Sequence, residues 1–294
     1  DFFEQNGTFV LFTECAVACG KAQRGRGERA AFPLTETVRK EEVMVHFVGA
    51  GCGAADLITL RGKRLLEEAD VVIYAGSLVN PELLSFAKDD CRFYDSAKMT
   101  LEQVEEAILA AERDGLVTVR LHSGDSSLYG AVREQFAFLD REGIEYDVCP
   151  GVSSFCGAAA ALRAEYTPPG VSQSVVITRI AGRTPVPERE SIRSFAAHGA
   201  TMVIFLSTGL LRELSAELIA GGYESDASAA IVYKASWPDE KILRCTVGTL
   251  AETAQANGIR NTALITVGGF LDEAFDRSYL YRPDFSTGFR EAER

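Results

Sequence analysis

The sequence has little histidine and little that would hold a metal. Its three histidines, His46, His122 and His198, are far apart and match no recognisable catalytic triad. The seven cysteines (Cys15, Cys19, Cys52, Cys91, Cys149, Cys156 and Cys245) are odd in number and scattered, with no CxxC pair. That pattern argues against a disulfide framework and suits unpaired thiols in a reducing cytoplasm. Cys15 and Cys19 lie close together, but no histidine cluster accompanies them, so no metal site is expected. No apolar run reaches the roughly 20 residues needed to span a bilayer. Positive charge is also short: 30 Lys and Arg face 42 Asp and Glu, a net charge of −12. A broad nucleic-acid face, which needs a basic surface, is therefore excluded, whereas a local basic pocket is not.

Residues 1–43 differ in character from the rest. An apolar patch, TFVLFTECAVAC, adjoins a Gly/Arg-rich stretch, GKAQRGRGERA, and the first methionine is Met44. Asp1 and Glu4 stand where a secretory signal would carry basic residues. The segment is expected to be a leader or appended piece, poorly ordered and outside the fold.

From Met44 onward the chain alternates in an α/β manner, and two α/β domains are expected, at 44–165 and 166–294, with a cofactor cleft between them. The run VHFVGAG predicts a buried strand, and LRGKRLLEEA (60–69) a helix capped by Thr59. Strands at DVVIYAG, LVTVRLHSGD and IEYDVCPGVSS alternate with helices around 80–88, at 101–115 and at VREQFAFLDREG, where Gly115 and a closing glycine supply stop signals. CRFYDSA predicts a further short strand. Beyond a Pro/Gly hinge at Thr167–Gly170, strands are predicted at SVVIT, ATMVIFLST, AAIVYKAS and TALITVGGF.

The loop after the first strand, VGAGCGAADLIT (48–59), poses the functional question. A dinucleotide fingerprint wants GxGxxG, a helix launched from the third glycine, and an acid ending the second strand. Here the glycines run GxGxG, and five residues, Ala54 to Ile58, precede the helix cap. The nearby acid, Asp70, comes before the second strand instead of after it. A nicotinamide site is thus disfavoured, and a tight turn that simply needs glycine stays open. Two more polar, glycine-containing loops, HSGDSSLYG (122–130) and CPGVSS (149–154), also follow strands. Ligands of open α/β sheets gather at the carboxyl ends of strands, so the three loops are expected to share one cleft. Gly124 would let the backbone approach a ligand, Asp125 would accept hydrogen bonds, and Ser153 and Ser154 would add short donors.

VGAGCGAADLITLRG, SGDSSLYG, PGVSS and the late TALITVGG together resemble the motif series of the tetrapyrrole methyltransferase family. The stretches TRIAGRTPVPE (178–188) and YKASWPDEKILRCTV (233–247), with the tail RSYLYRPDFSTGFR (277–290), are similar to the branch that methylates a corrin precursor at C-11. The resemblance covers about 44–290. Cys52, Ser126 and Thr262 stand where the family usually has proline.

The resemblance implies a homodimer of two-domain subunits using S-adenosylmethionine, with S-adenosylhomocysteine as product. Carried over by motif, the cofactor contacts would be Cys52, Ser123, Gly124, Asp125, Leu128, Ser153 and Ser154. From the second domain they would be Leu206, Ala235, Thr262 and Ala263. The acceptor would be a polycarboxylate tetrapyrrole, for which guanidinium and ammonium groups are suited. Arg179, Arg183 and Lys234 are the candidates, with Arg120 and Lys98 behind them. Trp237 with Pro238 would form either a wall for the macrocycle or an ordered turn. Methyl transfer to a ring carbon needs alignment more than a strong base, so no catalytic side chain is assigned, and His122 is expected to be structural. The rival readings are a same-fold enzyme acting at another tetrapyrrole carbon (such as one of uroporphyrinogen-III), a nicotinamide-dependent oxidoreductase and a non-catalytic binding module.

Overall fold

Ten strands fall into two five-stranded sheets in a computed structural model that describes residues 45–292. The expectations for the leader, for Met44 and for Cys15 and Cys19 lie outside the described residues. The described residues all fall within one compact unit. Among the described residues no helix is long and apolar enough to cross a membrane.

The first sheet is fully parallel, in the order β3-β2-β4-β1-β5. Its strands are β1 (Val45–Gly49), β2 (Val71–Tyr74), β3 (Arg92–Asp95), β4 (Thr118–His122) and β5 (Tyr146–Cys149). Alternation of side chains across the pleat sorts each strand between two cores. Val48, Val72, Val119 and Leu121 pack beneath α1 (Leu60–Glu68). Val45, Phe47, Val71 and Ile73 pack against α2 (Leu101–Arg113) and α3 (Arg133–Glu142). Complete burial of residues such as Phe47, Leu66, Ile73 and Ile108 is worth about 1.5–3 kcal/mol apiece.

The helix ends follow local chemistry. Thr59 caps α1 by accepting a hydrogen bond from Gly62 N at 3.0 Å. Thr100 and Gln103 form a reciprocal capping box on α2, and α3 closes on Gly143 at φ 68°. The helix expected around 80–88 is instead a 3-10 helix, Pro81–Phe86, with Asn80 capping it by accepting from Glu82 N. Its backbone already returns to extended geometry at Ala87.

The second sheet is mixed, in the order β6-β7-β10-β8-β9. Only β6 (Val175–Arg179) and β7 (Thr201–Phe205) are parallel, while β8 (Ser228–Tyr233), β9 (Lys241–Thr246) and β10 (Ala263–Val267) pair antiparallel. The strand β9 goes beyond the sequence expectation. One face packs on α5 (Ile192–Ala196), α6 (Leu211–Gly221) and α7 (Leu250–Ala256). The other face receives α4 (Ser154–Leu162), whose Ala158 and Leu162 meet Val203, Ala230, Val232 and Leu264. Helix α4 follows the last strand of the first sheet yet packs on the second. We propose that 44–165 and 166–294 form two domains, with α4 as the tie between them.

Candidate functional site

The loops after β1, β4 and β5 converge because their glycines let three backbones meet. Ala50 N donates to His122 O at 2.7 Å, and Gly51 and Gly124 exchange a pair of backbone bonds at 2.9 and 3.2 Å. A Cβ on Gly151 would lie 2.2 Å from Gly124 O and 2.7 Å from Gly49 Cα, so a side chain there would push the loops apart. The glycines of the opening motif thus serve backbone packing. Helix α1 begins only at Leu60, after a 3-10 turn at Ala55–Leu57, and its N-terminus is satisfied by Thr59. That is poor geometry for a phosphate cradle, and β2 ends at Tyr74 without an acid.

Asp125 locks this junction. Its Oδ2 accepts from Gly151 N at 2.7 Å, and its Oδ1 accepts from Ser127 N at 2.9 Å and from the Ser127 hydroxyl. Burial pushes the carboxyl upward, but the Ser127 and Gly151 bonds outweigh it and hold the group below the ordinary aspartate value. The carboxylate is therefore ionised at neutral pH and largely occupied with bracing the loops.

Opposite these loops stand the carboxyl ends of β7 and β8 and the start of β10. Ser236 bridges the gap: its Oγ accepts from Ala54 N at 2.9 Å and lies 3.8 Å from Cys52 Sγ. Its own backbone N–H donates to Glu240 Oε2 at 2.6 Å. Gly53 fits under this turn, since a Cβ there would lie 2.4 Å from Ala235 O.

Between the two sets of loops lies a cleft with about 1020 Å³ of empty space, part of it open to solvent. Cys52, Ser123, Gly124, Asp125 and Leu128 line it from the first two loops. Ser153 and Ser154 line it from the start of α4, a helix whose N-cap, Ser153, makes no side-chain capping bond. Leu206, Ala235, Thr262 and Ala263 complete it from the second sheet. All eleven residues marked from the motif series meet at one place.

The cleft also concentrates backbone strain. Of the seven non-glycine residues at positive φ among the described residues, five are here or adjoin it: Tyr129 (56°), Leu206 (51°), Lys234 (48°), Ser236 (65°) and Thr262 (53°). Such conformations cost free energy and persist where the surroundings enforce them, commonly at ligand sites. Leu206 is also 67 % exposed, an apolar side chain held toward open space. Thr262 has a further consequence. Proline fixes φ near −65°, so this loop follows a path closed to the proline that the motif resemblance places there.

The basic candidates separate. Lys234 lines the cleft, with its amine 2.7 Å from Asp239 Oδ2 and over the rings of Tyr233 and Trp237. Trp237 lines the cleft as well. Arg179 and Arg183 lie outside its lining; Arg179 donates to the carbonyls of Ile180, Thr184 and Pro185 at 3.4, 3.2 and 2.7 Å and so shapes the loop that carries Arg183. Lys98 pairs with Asp95 at 3.1 Å. Arg120 is buried on the α2/α3 face of the first sheet, bonded to Gln135 and the Ile73 carbonyl, and burial lowers it to about 10. His122 faces the same way, stacked on Phe47. Burial and the Arg120 charge lower its pKa to about 3, which leaves it neutral and structural.

Tyr129, Phe205, Leu78 and Thr208 also line the cleft and were not singled out from the sequence. Tyr129 ends the SGDSSLY run and Phe205 adjoins Leu206, so position in the motifs was the available signal for both.

Comparison with known proteins fits this geometry. Residues 44–251 match the family model for tetrapyrrole (corrin/porphyrin) methylases. The chain belongs to that family. It is 47 % identical over 251 residues to a cobalt-precorrin-4 C(11)-methyltransferase of Methanocaldococcus jannaschii, covering 85 % of this chain and 97 % of that one. It is 46 % identical over 248 residues to a precorrin-4 C(11)-methyltransferase of a Sinorhizobium species, covering 84 % and 98 %. Among solved structures it resembles a cobalt precorrin-4 methyltransferase of cobalamin biosynthesis, with a TM-score of 0.76 at 44 % identity, covering 78 % of this chain and 95 % of that one. A Thermus thermophilus uroporphyrin-III C-methyltransferase solved with S-adenosyl homocysteine superposes with a TM-score of 0.65 at 27 % identity, covering 79 % and 95 %.

Proposed function

We propose that the chain is an S-adenosylmethionine-dependent C-methyltransferase acting at C-11 of precorrin-4 or its cobalt form in cobalamin biosynthesis. The observation that carries the reading is the convergence of eleven motif residues from both sheets on one cleft, in a chain whose near relatives bear that activity in their names.

The residues present suit the cofactor. Leu206, exposed and held at positive φ, offers an apolar surface for the adenine, and buried Ala235 leaves room beside it. Ser153, Ser154 and the uncapped start of α4 present donors to a carboxylate, which a helix N-terminus favours. Asp125, ionised, suits the cationic end. When bound, the cofactor supplies an electrophilic methyl group on a positively charged sulfur. The protein's contribution is alignment of that methyl with a nucleophilic ring carbon, so positioning supplies most of the acceleration. Loops fastened to one another through Gly51–Gly124, Asp125–Gly151 and Ala54–Ser236 are built for that. No general base is invoked: the nearest histidine, His122, is buried and neutral. Arg179, Arg183 and Lys234 remain the proposed contacts to the acceptor's carboxylates. A homodimer in the cytoplasm belongs to the same proposal, and light scattering on the purified chain tests the dimer.

Calorimetric titration with S-adenosylhomocysteine, alongside NAD(H) and NADP(H), tests the class. Saturable binding of the first alone, one per subunit, is expected. Binding of a nicotinamide, or of nothing, would overturn the reading. Turnover with ¹³C-methyl cofactor then locates the new methyl group by NMR, and a signal at any ring position other than C-11 would assign the chain to another reaction.

A further inference from the structure

We infer that Tyr129 and Phe205 form an aromatic shelf that receives one face of the tetrapyrrole ring, with Arg179 fixing the shelf's outer edge. The inference rests on the methyl-transfer reading and adds the surface on which the acceptor lies.

The two rings come from opposite sides of the cleft, Tyr129 from the loop after β4 and Phe205 from the end of β7. Their centroids are 5.3 Å apart and tilted by 46°. Tyr129 is held at φ 56° beside Gly130 and Ala131, and a Cβ on Gly130 would lie 2.2 Å from Ser126 O. The turn is thus forced into a shape that presents this side chain, yet its surface is 44 % exposed. A bulky residue in the left-handed region with much of its surface uncovered is costly to maintain for packing alone.

The shelf adjoins the proposed cofactor contacts Leu128 and Leu206 and extends from them toward the β6 edge of the second sheet. Along the second sheet, Ala235 follows β8, Ala263 starts β10, Phe205 ends β7 and Arg179 ends β6. Neighbouring strands lie about 4.8 Å apart, so the β6 edge is about 14 Å from β8, far enough for a second ligand. Arg179 and Phe205 are direct partners in the parallel register. Both stand on the face that also carries Ile177 and Val203, so their side chains are neighbours. Three of the five guanidinium N–H groups of Arg179 reach the carbonyls of Ile180, Thr184 and Pro185. The remaining two have no partner among the described residues and can meet a carboxylate at the rim of a ring lying on the shelf. Burial raises the Tyr129 hydroxyl above the ordinary tyrosine value, although Arg179 draws it down. The phenol is therefore neutral at pH 7 and does not repel a polycarboxylate.

The test is fluorescence titration of the full chain with uroporphyrin III, a stable octacarboxylate tetrapyrrole, run in parallel with calorimetry using S-adenosylhomocysteine. Tyr129→Asn removes the ring while suiting positive φ, and Tyr129→Phe keeps the ring. The Asn variant is expected to bind uroporphyrin about fivefold more weakly with cofactor-product affinity within about twofold, Phe to match wild type, and Phe205→Leu to behave like Asn. Unchanged uroporphyrin affinity in the Asn and Leu variants would overturn the shelf. So would a Phe variant as weak as Asn, an equal loss for both ligands, or a wild-type chain that binds S-adenosylhomocysteine but no uroporphyrin. Failure of wild type to bind S-adenosylhomocysteine strikes the methyl-transfer reading itself and is read separately.

Discussion

The carboxylate of Asp125 accepts a 2.7 Å hydrogen bond from the backbone N–H of Gly151, joining the loop after β4 to the loop after β5. The residue that looked from sequence like a ligand contact is thus, first, a brace between two segments of the cleft wall. Asp125→Ala should weaken S-adenosylhomocysteine binding about tenfold or more, since a buried or partly buried charge-assisted bond contributes about 1.5–3 kcal/mol, and should lower the Tm. Asp125→Asn, which keeps one acceptor oxygen, should recover part of each. If both variants bound like wild type, neither the brace nor a direct contact would be supported.

The same carboxylate gives an acid-side dependence. Its folded pKa lies below the ordinary aspartate value, so its contribution is complete above that ordinary value and disappears as pH falls through the lower folded value. His122 acts over a wider window. With a folded value of about 3 against 6.5 when unfolded, the unfolded chain binds the extra proton between those limits. Stability from this group is complete above about pH 6.5 and is lost progressively toward pH 3. The urea midpoint of wild type should therefore fall relative to that of His122→Phe as pH drops from 7 to 5, while NMR of the imidazole shows no titration between pH 5 and 8. An imidazole shift with a midpoint near 6.5 would contradict the burial argument.

Arg179→Ala should weaken tetrapyrrole binding and leave the cofactor product's affinity unchanged. The geometry adds a discriminating variant. Arg179 holds three carbonyls of its own loop, a task that needs the planar fork of a guanidinium. Arg179→Lys should therefore fail to restore acceptor binding, and the deficit should persist in high salt. Were the residue only a point charge for a carboxylate, Lys would rescue and added salt would erase the difference between variants. KM for the acceptor, measured at two ionic strengths, decides between them.

Much of this site was legible because the sequence writes strand ends in glycine and short polar residues. The three loops after β1, β4 and β5 could be placed in one cleft from that grammar alone, and Thr59 could be read as a cap from its position before Leu60. Other features leave no such mark. The strand β9 reads as charged surface because it is an edge strand, with Lys241 and Arg244 exposed. The segment after Asn80 has helical composition, but it closes as a single 3-10 element ending at Phe86. The role of Arg179 was hidden because its partners are carbonyl oxygens, which every residue has. The left-handed backbone of Tyr129, Leu206 and Thr262 was hidden for a related reason: residue type usually announces positive φ through glycine or asparagine, and these three are neither.

The strain at Leu206 is itself testable. Leu206 sits at φ 51° with its side chain 67 % exposed. A leucine in the left-handed region costs about 1 kcal/mol relative to a residue that tolerates it, and so exposed a side chain returns little through packing. Leu206→Asn should then raise the free-chain stability by up to about 1 kcal/mol, visible as an increase of a few degrees in Tm for a chain of this size. If the apolar side chain is held out for a bound adenine, the same variant should lose affinity for S-adenosylhomocysteine by about fivefold to tenfold, since roughly 1–1.5 kcal/mol of apolar burial disappears. The two changes run in opposite directions, which a purely structural role would not produce. Thermal melts with and without S-adenosylhomocysteine read both at once: the variant should melt above wild type alone and gain less on adding ligand. A variant that melts lower alone, or one that gains as much from ligand as wild type, would mean that Leu206 is held in place for the protein's own packing.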